Sequence, residues 1–171
     1  MSLLWIFLFL VAERLFELFL SQRHIKALRG RGGREFYRGT FPAVVALHTL
    51  FLVVLLIESY PWHLVLNQLT IALLGLLVLL QLFRYWCMGS LGVYWNTRIV
   101  VVPGSSVIKK GPYRWIRHPN YFIVVLEFIL LPLLMHAPFS FLVFFPGIIF
   151  GLRDRIRNEE KALTQWTNYT V

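Results

Sequence analysis

The chain has 171 residues, of which 58% are hydrophobic and 15% charged, and its mean hydropathy is +0.67. A soluble domain carries about 25% charged residues, so the composition excludes a soluble protein and points to one membrane domain over 1-171. A formal net charge of +9 would suit nucleic acid, but the placement of the charges assigns them to the membrane surface. The single cysteine, Cys87, excludes an intrachain disulfide and a cysteine-cluster metal site.

The first span runs from Leu3 to about Leu20, long enough to cross a hydrocarbon core at about 1.5 Å per residue. No basic segment precedes it, and Glu13, Arg14 and Glu17 interrupt it, which argues against a cleaved signal. Charges inside a span face protein or water, so this trio reads as a paired, bundle-facing cluster. Residues 21–40 form a polar loop broken by Gly32-Gly33. The second span covers Phe41 to Ile57, a turn without Lys or Arg covers Glu58 to His63, and the third span covers Leu64 to about Phe83. A long loop, Arg84 to His118, leads to a short fourth span, Pro119 to about Leu134, interrupted by Pro132. After the turn Met135 to Pro138, a fifth span covers Phe139 to Leu152, and a mixed-charge tail completes the chain.

The charges orient these spans. Of 17 Lys and Arg, six lie in the first loop, six in the third and four in the tail, with Arg14 inside the first span. The positive-inside rule then places the N-terminus outside and the C-terminus in the cytoplasm, with five crossings of the cell's inner (plasma) membrane. The expected fold is all-α: a three-helix membrane part over 1–83 and a second part over 84–171 ending in a short two-helix hairpin. Apolar faces on five helices leave room for a homodimer.

Within Lys110–Tyr121 the chain gathers two Arg, a His, two Tyr and two Pro. Pro119 suits the first turn of a helix, where its missing N–H is not needed. Arg117 and His118 then sit at that helix's positive end, a place to hold an anionic group. The bland alternative is an interfacial basic-aromatic anchor. Topology brings this loop to the same face as the tail, where Arg155 and Glu159 are four residues apart on one helix face. Glu127, midway along the fourth span, is a functional candidate as an intramembrane carboxylate, with a structural bond to another helix as the competing reading. His48 and His136 read as structural or interfacial, and no metal-ligand spacing exists.

Gly111-Pro-Tyr-Arg-x-x-Arg-His-Pro-x-Tyr121, two apolar helices, then Arg155-x-x-x-Glu-Glu-x-x-Leu163 resembles the isoprenylcysteine carboxyl methyltransferase family and its phospholipid methyltransferase relatives. Tyr94-Trp-Asn-Thr97 ahead of it is similar to small bacterial members of the YpbQ type, associated with O-methylation of alkylpyrones. The resemblance implies S-adenosylmethionine as cofactor, with Tyr113, Arg117, His118, Pro119 and Tyr121 lining its pocket and Glu159 and Glu160 near its amino group or ribose. It also implies Arg155 as the residue orienting the acceptor oxygen. On physical grounds, Arg155 or Arg117 would favour the ionised acceptor by proximity, and Glu127, as an intramembrane carboxylate, would accept its proton or bind a polar head. The expected acceptor is a lipophilic, membrane-partitioned enol, phenol or carboxylate, methylated on the cytoplasmic face. Head-group N-methylation of a phospholipid, an NADPH-dependent reductase of similar helix arrangement, and a non-catalytic scaffold or carrier stand as alternatives.

Overall fold

The computed structural model describes residues 2–169, which form five α-helices and one two-stranded ribbon. Helix α1 (Leu3–Arg29) starts on Ser2, whose hydroxyl accepts from Leu4 N at 3.3 Å, and it is docked by Leu3 N–H donating to the Trp62 carbonyl at 2.9 Å. The helix runs nine residues past the expected end of the first span. Its last turns carry Arg23, Lys26 and Arg29, which favour helix as strongly as leucine does. Only at Gly30–Gly33 does the chain turn. A Cβ on Gly33 would lie 2.7 Å from the Leu28 carbonyl oxygen, so the turn requires glycine there.

Strand β1 (Arg34–Phe36) pairs antiparallel with β2 (Ile99–Val101), in the register Arg34↔Val101, Glu35↔Val100 and Phe36↔Ile99. The fold is mostly helical, as the expected all-α class requires, and the ribbon is a small addition to it. The ribbon was hidden because three-residue strands carry almost no periodicity and their partners lie far apart in sequence. Glu35 fastens it, collecting Arg29 at 3.2 Å and Arg98 at 3.0 Å.

Helices α2 (Thr40–Glu58) and α3 (Gln68–Leu91) are the two described helices long and apolar enough to cross a membrane on length and composition. Asn67 caps α3, its Oδ1 accepting from Thr70 N at 2.8 Å. The expected loop from Arg84 is helical as far as Leu91, where Gly92 at φ +54° terminates it. Residue 84 is therefore inside the bundle, at 1% exposure, and not among the loop cations.

Helix α4 (Pro119–Leu134) turns through Ala137, whose N–H donates to the Pro132 carbonyl at 2.8 Å, into α5 (Pro138–Trp166). The expected short hairpin is short only on its first side. The drop in hydropathy at Arg153 marks the end of the apolar stretch; no glycine or proline breaks the helix there. Glu58 substitutes for a missing cap on α5, accepting from Phe139 N and Ser140 N, both at 2.7 Å, and from the Ser140 hydroxyl at 2.6 Å. Helix α2 therefore runs antiparallel to α5. The core between them and α4 stacks Phe51 on Phe128 with ring centroids 4.0 Å apart and sets Phe144 edge-on to Phe51.

A polar network crosses this apolar interior. Arg84 donates to Glu17 at 2.8 Å and to Glu127, Arg14 donates to Glu17 at 2.9 Å and Glu127 at 3.2 Å, and Gln81 donates to Glu127 at 2.8 Å. Tyr85 adds a bond to Glu13. The trio in the first span is paired and bundle-facing, as its sequence suggested, and it ties α1 to α3 and α4.

Candidate functional site

Apart from Arg14 and Arg84, the Lys and Arg side chains belong to segments at one end of the bundle, where the ribbon, the loop 92–118 and the C-terminal half of α5 meet. Gly111 starts the motif at φ +53°, and a Cβ there would fall 2.1 Å from Ser90 Oγ, so only glycine lets the 111–114 turn lie on α3. Tyr113 packs beside Cys87, and burial pushes its phenol well above the usual tyrosine range. Pro119 is the first residue of α4 and is buried.

The loop and α5 meet through a chain of bonds. Arg155, 6% exposed, donates through Nε to the Tyr121 hydroxyl at 3.0 Å, and that hydroxyl donates to Glu159. The Nη2 of Arg155 donates to the Thr97 carbonyl, while Nη1 has no partner among the described residues. Thr97 is held in turn by Ser21 of α1, its N–H donating to Ser21 Oγ at 3.0 Å. His118 stacks on Tyr121 with centroids 5.5 Å apart, and its Nε2 lies 3.1 Å from Glu160. Tyr169 reaches the same carboxylate at 3.4 Å, and its phenol is pushed up by burial first and by Glu160 second.

These residues surround a cavity of about 930 Å³, within the range of small-molecule sites. Tyr113, Arg117, His118, Tyr121, Arg155 and Glu159 line it; Pro119, Glu127 and Glu160 do not. Glu160 and Pro119 stand one layer back, where Glu160 holds His118 and Pro119 starts the helix that presents Tyr121. Glu127 is enclosed by Arg14, Gln81 and Arg84, the structural bond to other helices that its position allowed. Seven lining residues are Lys or Arg and two are Glu, so the cavity favours anions. Apolar residues of α1 and α2, Leu18, Val44, Val45 and Leu52, also line it.

Sequence reasoning missed several lining groups. Trp95, Asn96 and Asn120 line the cavity, and Trp95 Nε1, Asn96 Oδ1 and Asn120 Oδ1 are buried without a hydrogen-bond partner among the described residues. Buried polar atoms are ordinarily paired, so one donor and two acceptors here fit a ligand bearing both kinds of group. S-adenosylmethionine, with its ammonium, carboxylate and adenine, matches that set together with Arg117 and Glu159. The only sequence signal was that Trp95, Asn96 and Asn120 sit within or beside the quoted motifs.

The sequence profile of the isoprenylcysteine carboxyl methyltransferase (ICMT) family matches residues 73–165. The Bacillus subtilis (strain 168) protein YpbQ, of uncharacterised activity, is 34% identical over 160 residues, covering 92% of this chain and 94% of its own. An uncharacterised protein of Haemophilus influenzae (strain ATCC 51907 / DSM 11121 / KW20 / Rd) is 27% identical over 156 residues, covering 91% of each chain. No solved structure matches. With the profile spanning more than half of its length, and a relative 34% identical over 92% of it, the chain belongs to the isoprenylcysteine carboxyl methyltransferase family.

Proposed function

We propose that the protein is an S-adenosylmethionine-dependent methyltransferase that O-methylates a lipophilic acceptor, an alkylpyrone-type enol, a phenol or a carboxylate, at the cytoplasmic face of the membrane. The observation that carries this reading is the cavity's mixed lining: Arg117, Arg155, Glu159 and residues with unpaired polar atoms share it with apolar residues of α1 and α2, Leu18, Val44, Val45 and Leu52, beside the polar Arg14, Glu17 and His48. A water-soluble donor and a membrane-dissolved acceptor need such a mixed site. The gathering of Lys and Arg at the cavity end supports a cytoplasmic orientation through the positive-inside rule.

Bound S-adenosylmethionine supplies an electrophilic methyl group on a sulfonium. Arg117 holds the donor's carboxylate, while Glu159 and Asn120 Oδ1 accept from its ammonium or adenine N–H groups. The neutral hydroxyl of Tyr113 closes the pocket against α3. Arg155 directs its free Nη1 at the acceptor oxygen and lowers the cost of its ionised form by proximity. Tyr121 and the Thr97 carbonyl fix the guanidinium, so orientation is set before substrate arrives. Glu127 acts through Arg14 and Arg84, holding the helices that form the inner wall. An excess of cations also favours an acidic oxygen over the amine of a phospholipid head group.

The test is transfer of a labelled methyl group to a long-chain pyrone or phenol, with phosphatidylethanolamine as the competing acceptor. Labelled oxygen ether or ester, reduced at least a hundredfold in Arg155→Lys, is the expected result. Label on phosphatidylethanolamine alone would replace this reading with head-group methylation.

A further inference from the structure

On the membrane side of Arg155 the cavity ends on a polar wall, drawn largely from helices that precede the family match. Arg14 and Glu17 of α1, His48 of α2 and Arg84 of α3 line it. The Nδ1 of His48 lies 2.9 Å from the Val44 carbonyl. A carbonyl only accepts, so Nδ1 carries a proton, and in the neutral ring the lone pair is on Nε2. That nitrogen has no partner among the described residues. The ring is held edge-on to Phe128 with centroids 5.2 Å apart.

Arg14 commits Nη1 to Glu17 and Nη2 to Glu127, leaving Nε without a partner among the described residues. Arg84 commits its terminal nitrogens to the same two carboxylates and leaves Nε buried and unpartnered. Behind this wall a second cavity of about 20 Å³, room for one water, is shared by Arg14, His48 and Glu127. A network serving only to hold helices together would close on itself. This one leaves a lone pair and N–H groups without partners among the described residues, on side chains that line the cavity.

Its distance from Arg155 bears on what it binds. Leu47 of α2 packs at 3.5 Å from a Cβ built on Gly147 of α5, and Arg155 lies eight residues further along, roughly 12 Å at 1.5 Å per residue. Side chains lean toward the N-terminus of their own helix. Because α2 and α5 are antiparallel, Arg155 and His48 lean toward each other across the cavity. Arg14, Glu127 and Arg155 are the charged groups within electrostatic reach of His48.

We propose that His48 and Arg14 form a second acceptor subsite, which holds a further hydroxyl oxygen of the acceptor while Arg155 faces the oxygen to be methylated. The hydroxyl donates to His48 Nε2 and accepts from Arg14 Nε. The favoured acceptor is thus a small ring bearing two oxygen functions and an alkyl tail, and His48 discriminates it from a ring bearing one. This rests on the methyltransferase reading for the role of the oxygen at Arg155; the affinity it describes does not depend on turnover.

Two probes test it: a long-chain alkylresorcinol and the alkylphenol of equal chain length, titrated against the purified full chain by tryptophan fluorescence without donor. The resorcinol is expected to bind about tenfold more tightly, the worth of the hydrogen bond to His48, whose loss leaves the hydroxyl proton unsatisfied in a desolvated site. His48→Phe is expected to erase that ratio with unchanged affinity for the phenol, and His48→Gln, which keeps an acceptor atom, to retain most of it. Equal affinity of the wild type for both probes, or a ratio unaffected by His48→Phe, would overturn the proposal. Donor binding measured on the same samples separates the two readings, since its absence counts against methyl transfer and leaves the affinity ratio readable.

Discussion

Tyr121 links Arg155 to Glu159, taking a hydrogen bond from the guanidinium at 3.0 Å and giving one to the carboxylate. One phenolic oxygen thereby couples the cation proposed to face the acceptor to the anion proposed to face the donor, joining α4 to α5. Tyr121→Phe removes both bonds while keeping the ring that stacks on His118. Hydrogen bonds to charged groups are worth about 1.5–3 kcal/mol, so kcat is expected to fall about ten- to a hundredfold. Donor affinity should change less, and steady-state methyl transfer alongside calorimetry separates the two.

Arg84 is the network's most enclosed cation. Removing one partner of a buried pair costs about 3–5 kcal/mol, and Arg84→Met takes a buried donor from both Glu17 and Glu127. The thermal midpoint in detergent is expected to drop by many degrees or the protein to fail to accumulate folded. A midpoint within a degree of wild type would show that the network contributes little to stability.

Glu58 tests the opposite end of the bundle. Its carboxylate satisfies the first N–H groups of α5 in place of a side-chain cap, and loss of a cap costs about 1 kcal/mol. Glu58→Ala should lower the thermal midpoint modestly and leave donor affinity at the wild-type value, because nothing at the cavity touches this end.

Tyr113 sets a pH expectation. Burial pushes its phenol well above the usual tyrosine range, so the hydroxyl stays protonated across about pH 6 to 9. The alkaline limb of a pH–rate profile should therefore keep its shape in Tyr113→Phe, whatever happens to the rate itself. Loss of that limb would mean that the phenol ionises during turnover.

Much of the site was legible because it lies in one contiguous stretch. Arg117, His118 and Tyr121 share a helix start, Arg155 and Glu159 share a helix face, and charge asymmetry alone brought the two together. Helix ends were less legible, since α1 and α5 continue as charged helix beyond the point where hydropathy drops, and α3 continues past Arg84 to Leu91. Arg84 shows the cost: counted with the loop cations, it is instead the buried partner of Glu17 and Glu127, a pairing across three helices that spacing along one helix cannot reveal. The proposed role of His48 was not legible for the same reason, because its unpartnered nitrogen is visible only once α2 is packed beside Arg14 and the cavity.

The most direct measurement is calorimetric binding of S-adenosylmethionine to the detergent-purified protein, beside His118→Ala and Glu160→Ala. Saturable binding in the micromolar range, weakened at least tenfold in both variants, is expected from the bond between His118 and Glu160 and from the cavity wall that it supports. Absence of binding in a folded, monodisperse sample would contradict the methyltransferase reading.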